Sequence, residues 1–293
     1  MKNSRHQTHI AFLALWSLAG ALFLLPSSIR AEHEGKVQIL LLGDSTTEGS
    51  VPRRLQPEGP HLEEVIRQLL AAQSDLPPCD VINSSLSGEY IRRLIDSGRY
   101  ERDAAKLPGI DYIFIRYGLN DRAKIENFPE NFPKDFHELI AVLRKDHPNA
   151  VIIPMTVIPF SNEEASKEIN DLVFQVARDE KLEVFDIYPR YAAELEKGFN
   201  MLNYRRYPLE KIPEEYREWM SKRAFGNPGS VEIMGNEFDA LFGHLPGWFG
   251  DRHPNLAGYN VIADETAKYL APILRKRAAV AKPATATVPA EAR

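Results

Sequence analysis

The chain of 293 residues contains one cysteine, Cys79, so an intramolecular disulfide and a cysteine-rich metal site are both excluded. A second long apolar run is also missing: beyond Leu25 no stretch is long enough and free enough of charge to span a bilayer. There is no basic excess, and a formal net charge of −5 argues against a nucleic-acid binder. No internal repeat is apparent. What is present, 44% hydrophobic and 26% charged residues, is ordinary for a soluble enzyme. The length accommodates one large α/β domain or two small ones with a sizeable buried core.

At the N-terminus, Lys2 and Arg5 precede an uncharged apolar run from Ile10 to Leu25, which Pro26 breaks before Ala31. This pattern predicts an export signal over residues 1–31 and a secreted or periplasmic protein without stable membrane association once the signal is removed. Ile29 stands where such signals carry a small residue, and an uncleaved segment that tethers the chain to a membrane is the alternative. Without that segment, 33 basic residues face 41 acidic ones, a balance of −8. Residues 277–293 are rich in Ala, Pro and Thr and lack apolar periodicity, which predicts a disordered tail.

Between these ends, short apolar runs alternate with longer amphipathic segments. The runs Val37 to Leu42, Asp80 to Ile82, Tyr112 to Tyr117, Val151 to Met155 and Glu183 to Phe185 are too short for ordinary helices, and several are rich in β-branched residues. His61 to Ala72, Glu89 to Ser97, Pro133 to Asp146 and Glu163 to Glu180 carry apolar residues at helical spacing. Such alternation predicts a parallel sheet of about five strands covered by helices on both faces. A closing helix is expected from Asn255, a possible N-cap, to Lys276, with Tyr259, Ile262, Ala263, Thr266 and Leu270 on one face.

In open sheets of this type, ligands bind beyond the carboxyl ends of the strands. Three motifs fall there: Ser45 in Gly43-Asp44-Ser45 after the first strand, Ser87-Gly88 after the second, and Gly118-Leu119-Asn120-Asp121 after the third. A fourth, Asp251-Arg252-His253-Pro254, precedes the closing helix. Serine becomes a useful nucleophile when a base takes its proton, and the base needs a partner to fix its tautomer. Residues two apart in an extended segment share a face with Cα atoms roughly 6.5–7 Å apart, so Asp251 could reach Nδ1 of His253. Acyl transfer also needs donors for the developing oxyanion, roles that fit the backbone amides of Ser45 and Gly88 and the Asn120 side chain. Taken singly, each motif has an ordinary reading: a surface turn for Asp-x-His, a turn glycine for Gly88, a cap or Asx turn for Asn120.

Together, in this order, the four blocks resemble those of the SGNH hydrolases, the GDSL esterase/lipase superfamily. The resemblance spans residues 36–275 and implies a flavodoxin-like three-layer α/β/α sandwich. It implies Ser45 as nucleophile, His253 as general base and then acid, Asp251 as its orienting partner, and Ser45, Gly88 and Asn120 as the oxyanion hole. No metal or organic cofactor is implied. Thr46 replaces the leucine of the name-giving motif, and Thr47 stands where a Gly-x-Ser-x-Gly elbow would have its second glycine.

Residues 198–250 exceed what a compact family member needs and are rich in aromatics: Tyr204, Tyr207, Tyr216, Trp219, Phe238, Phe242, Trp248 and Phe249. The expectation is an insertion or lid in which most rings form a local core, with a helix at Pro213 to Arg223. Trp248 and Phe249, close to Asp251 along the chain, are expected instead at the substrate. Arg252, and after it Arg116 and Arg122, are candidates for an anionic substrate group, although the middle residue of an extended triplet faces away from its neighbours. Glu48 is a candidate for a substrate hydroxyl or for capping the turn after Ser45. The pairs Arg53-Arg54, Arg92-Arg93 and Arg205-Arg206 are expected at the ordinary surface, and Cys79 in the core.

The expected function is an exported serine esterase acting on a small acyl group, most simply acetyl, carried by a small-molecule or carbohydrate ester. A lipid or thioester acyl hydrolase, an acyltransferase, and a non-catalytic carbohydrate-binding protein are the alternatives.

Overall fold

The computed structural model describes residues 35–281 apart from 161, 199–200 and 227–228. The expected export signal at 1–31 and the end of the tail, 282–293, lie outside the described residues.

β1 (Val37–Gly43) has the sequence VQILLLG and is buried at every position, the signature of a strand covered on both faces. It pairs in parallel with β2 (Cys79–Asn83) on one side and with β3 (Tyr112–Arg116) on the other, and β3 pairs with β4 (Val151–Pro154), giving the order β2-β1-β3-β4. Alternation along β1 divides the core. Ile39 and Leu41 face one layer with Phe114 and Ile153, where Ile66 and Leu70 of the helix Leu62–Ala71 meet Ile262 and Leu270 of the helix Leu256–Ala281. Leu40 and Leu42 face the other with Ile113 and Ile115, against Phe132, Phe136 and Leu139 of the helix Phe128–Asp146 and Val173 of the helix Glu163–Glu180. The result is the expected three-layer α/β/α sandwich.

The fifth expected strand is reduced to a single parallel bridge, Met155 to Phe185, fastened by the Phe185 N–H on the Pro154 carbonyl at 2.9 Å. The chain enters the helix Tyr188–Gly198 so soon after Phe185 that no longer ladder forms. The helix Phe128–Asp146 begins before Pro133, because Pro129 supplies the first-turn proline that a helix start tolerates. The last helix runs to Ala281, so residues 277–281 are helical where a disordered tail was expected. Asn255 caps that helix, its Oδ1 accepting the Gly258 N–H at 3.1 Å.

The segment 198–250 builds its own antiparallel sheet from β5 (Arg205–Pro208), β6 (Ala224–Phe225) and β7 (Ser230–Ile233), in the order β5-β7-β6, together with the helix Glu214–Ser221. Tyr207, Ile212, Met220, Val231, Phe242 and Trp248 form its separate core. No helix among the described residues is long and apolar enough to cross a membrane.

Candidate active site

Ser45 is the first residue of a four-residue helix, Ser45–Glu48, that starts directly beyond β1. Asp44 caps it, Oδ1 accepting both the Thr46 N–H and the Thr46 hydroxyl at 2.8 Å. Burial pushes the Asp44 carboxyl up, against the Thr46 hydrogen bonds and the charge of Arg116. Arg116 lies in the interior beneath this turn, donating to the Thr46 carbonyl and, through Nε at 3.2 Å, to the Thr47 hydroxyl. It therefore braces the Ser45 turn from below, where the sequence had offered it to a substrate anion. Tyr259 of the last helix donates its hydroxyl to the Ser45 carbonyl at 2.7 Å, tying the first motif to the last.

His253 Nε2 stands 2.9 Å from Ser45 Oγ. On the other side of the ring, Nδ1 lies 2.7 Å from Asp251 Oδ1, which also accepts the His253 backbone N–H at 2.9 Å. That bond makes Nδ1 the donor and leaves the Nε2 lone pair for the serine hydroxyl. Burial would raise the Asp251 carboxyl, but the hydrogen bonds and charge of His253 and the charge of Arg206 outweigh it and hold the group below its usual range.

Gly88 and Asn120 line, with Ser45 and His253, a cleft of about 610 Å³. Gly88 has φ +75°, a left-handed conformation that leaves its amide unshielded by a side chain. One amide hydrogen of Asn120 is spent on the Glu89 carbonyl at 3.0 Å, which fixes the side chain and keeps its second hydrogen available. Glu89 is fully buried, its carboxylate bound by Arg99 and by the Tyr117 hydroxyl at 2.7 Å. Asp121 joins the second and third motifs, accepting the Ile91 N–H and the Gly118 N–H, each at 2.9 Å, and burial raises it to about 7. The Glu48 carboxylate accepts the Ser87 N–H at 2.6 Å through Oε2, which holds the loop beside Gly88.

The insertion contributes residues that sequence reasoning assigned elsewhere. Along β5 and the residue before it, Tyr204 and Arg206 line the cleft, while Arg205 and Tyr207 point into the insertion. Tyr204 lies flat against the His253 ring, 14° from parallel with centroids 5.6 Å apart, and its hydroxyl accepts from Arg206 at 2.7 Å. Arg205, expected at the surface, is buried and paired with Asp239 at 2.5 Å. Arg54 also departs from the surface reading, pairing with Glu232 of β7 and covering the Phe225 ring at 3.6 Å.

Trp248 and Phe249 are not in the cleft. Trp248 is fully buried in the insertion core, its indole N–H bound to Asp239 Oδ1 at 2.7 Å, and Phe249 packs against that core and Arg205. A buried indole N–H needs an acceptor, and Asp239 provides it away from the loop of Asp251 and His253. Arg122 pairs with Glu168 at 2.6 Å on the surface. Arg252 lines a second cleft, away from the Ser45–His253 contact. Phe160, which carried no sequence signal, meets the His253 ring at 90° with centroids 4.8 Å apart.

The family model for GDSL-like lipases and acylhydrolases matches residues 41–261, a span that contains all four motifs. The chain belongs to the GDSL-like lipase/acylhydrolase family. As a member of that family it is a carboxylic ester hydrolase. Among solved structures, the fold is similar to that of an acetylxylan esterase from Geobacillus stearothermophilus, at 18% identity and TM-score 0.51, over 82% of this chain and 96% of that one. It is also similar to an alpha/beta hydrolase enzyme from the metagenome of Lake Arreo, Spain, at 20% identity and TM-score 0.50, over 81% and 94% of the two chains. No curated protein matches the chain.

Proposed function

We propose that the protein is an exported serine esterase that removes acetyl groups from carbohydrate hydroxyls. One observation carries the chemistry: Ser45 Oγ, His253 Nε2 and Asp251 Oδ1 stand in a hydrogen-bonded line at 2.9 and 2.7 Å. Ser45 Oγ attacks the ester carbonyl carbon as its proton passes to His253 Nε2. The carbonyl oxygen becomes an oxyanion, met by the N–H groups of Ser45, Gly88 and the Asn120 side chain, each worth roughly 10²–10³ in rate in comparable sites. Collapse breaks the bond to the alcohol oxygen, which takes the proton from His253. Water then repeats the sequence on the acyl-enzyme, releasing acetate and restoring Ser45.

Support for a small acyl group and a sugar comes from the cleft. Ser50, Ser87 and Arg206 give it a polar lining, with Val51 and Pro52 as a short apolar patch on the scale of a methyl group. Residues 1–31 support export. The test is acetate release from O-acetylated oligosaccharides. Ser45→Ala and His253→Ala should each reduce it by a factor of about 10⁴ or more, because the members of a triad act as a unit. A Ser45→Ala variant that keeps most of its activity would end the proposal.

A further inference from the structure

We infer that the cleft behind Phe160 is a binding subsite for the glycan that leaves during the reaction, a polyhydroxylated ring or short chain of rings. The inference rests on the serine esterase reading and starts from where that reaction sends its proton. His253 must protonate the departing alcohol oxygen, so the alcohol lies within reach of Nε2, on the imidazole side of the cleft. The oxyanion lies on the other side, towards Gly88 and Asn120. Two aromatic rings bound the imidazole side, Tyr204 stacked on the ring and Phe160 standing edge to face with it.

Phe160 is also a wall of the second cleft, of about 980 Å³, larger than the one around Ser45. A leaving group too large for the first cleft has the second, beyond Phe160 on the imidazole side, to extend into. The lining there suits a sugar better than an acyl chain. Tyr188 and Phe160 place aromatic rings in the lining for C–H surfaces, while Asn162, whose Oδ1 caps the helix Glu163–Glu180 and whose amide N–H groups remain, Glu163, Glu196 and Arg252 place an amide donor, two carboxylates and a guanidinium there for hydroxyl groups. The loop before Pro254 divides the labour: Asp251 and His253 turn to Ser45, and Arg252, between them, lines the second cleft.

The experiment compares kcat/KM for O-acetylated xylose, O-acetylated xylotetraose and 4-nitrophenyl acetate in the full-length protein and in the Tyr188→Ala and Glu196→Ala variants. Unfolding curves verify that both variants are folded, and two variants from different parts of the lining guard against one that is not. The subsite predicts that wild type prefers the tetrasaccharide to the monosaccharide. It also predicts that each variant lowers the ratio of tetrasaccharide to nitrophenyl rates by about tenfold, the equivalent of one lost contact of 1.4 kcal/mol. Wild-type turnover of both sugars with a ratio unchanged in both variants overturns the subsite and leaves the esterase reading intact. Hydrolysis of 4-nitrophenyl acetate with no acetate released from either sugar overturns the carbohydrate reading, and the subsite with it.

Discussion

Arg206 Nε lies 3.5 Å from Asp251 Oδ2, the carboxylate oxygen that His253 does not use. The insertion thus delivers a cation that competes with the imidazolium for the same negative charge. Removing it in Arg206→Gln takes away one of the causes that hold the Asp251 carboxyl below its usual range, so part of the stability that this carboxylate contributes at neutral pH should be lost. Arg206→Lys, which keeps the charge, should lose less. Urea unfolding at pH 7 measures both, and equal losses in the two variants would show that the arginine acts on Asp251 by packing alone.

Gly118 and Gly88 both have positive φ, at +133° and +75°, yet they differ in space. A Cβ on Gly118 would sit 2.3 Å from Ile169 Cγ2, whereas one on Gly88 meets nothing nearer than 3.8 Å. Gly88→Ala should therefore cost about 1–2 kcal/mol of backbone strain, and Gly118→Ala about 3 kcal/mol or more because overpacking adds to it. Urea unfolding measures both. Equal losses would mean that Ile169 yields at no cost.

Trp248→Ala should destabilise the protein by about 3–5 kcal/mol, since it empties the centre of the insertion core. Activity should fall through β5, which carries Arg206, and the loss should grow with temperature as the insertion loosens. A stable Trp248→Ala variant with a selectively raised KM would instead return this residue to the substrate.

Asp121 sets a pH dependence of stability. Its carboxyl, raised by burial to about 7, binds a proton in the folded chain over a range where the unfolded chain, at 3.8, has lost it. The folded state then holds more protons than the unfolded state, and stability falls as pH rises from about 4 to 7. Asp44, raised by the same cause, adds in the same direction. Asp251 and Glu63, held low, act oppositely and only at more acid pH, where their protonation removes stability. In Asp121→Asn the difference between denaturation midpoints at pH 5 and pH 7.5 should shrink, and an undiminished difference would assign the slope to other groups.

Much of the fold was legible because it follows from periodicity. Continuous burial in β1 and the apolar stripe of Glu163–Glu180 each have one structural solution, and both elements appear where expected. Ser45, Gly88 and Asn120 could be grouped from the sequence because strand ends converge on one sheet edge, Asp251 and His253 joined them through the family resemblance, and the structure brings all five together. The insertion was less readable. Arg205 and Arg206 look alike as letters, but β5 turns one inward to Asp239 and the other to the cleft, and nothing local states which. Trp248 was misplaced because nearness along the chain was taken for nearness in space. The acceptor for its indole, Asp239, belongs to the insertion and decides its position. Phe160 was silent for the same reason: its partner, His253, is reached only through the fold.

The hydrogen bond between Ser45 and His253 closes a gap of 208 residues, and the helix Leu256–Ala281 that follows His253 also supplies Tyr259 to the Ser45 carbonyl. During synthesis, then, Ser45 emerges long before the imidazole that sits against it. Any fragment truncated before His253 carries an alcohol without that partner, so on the proposed mechanism such incomplete copies cannot cleave esters.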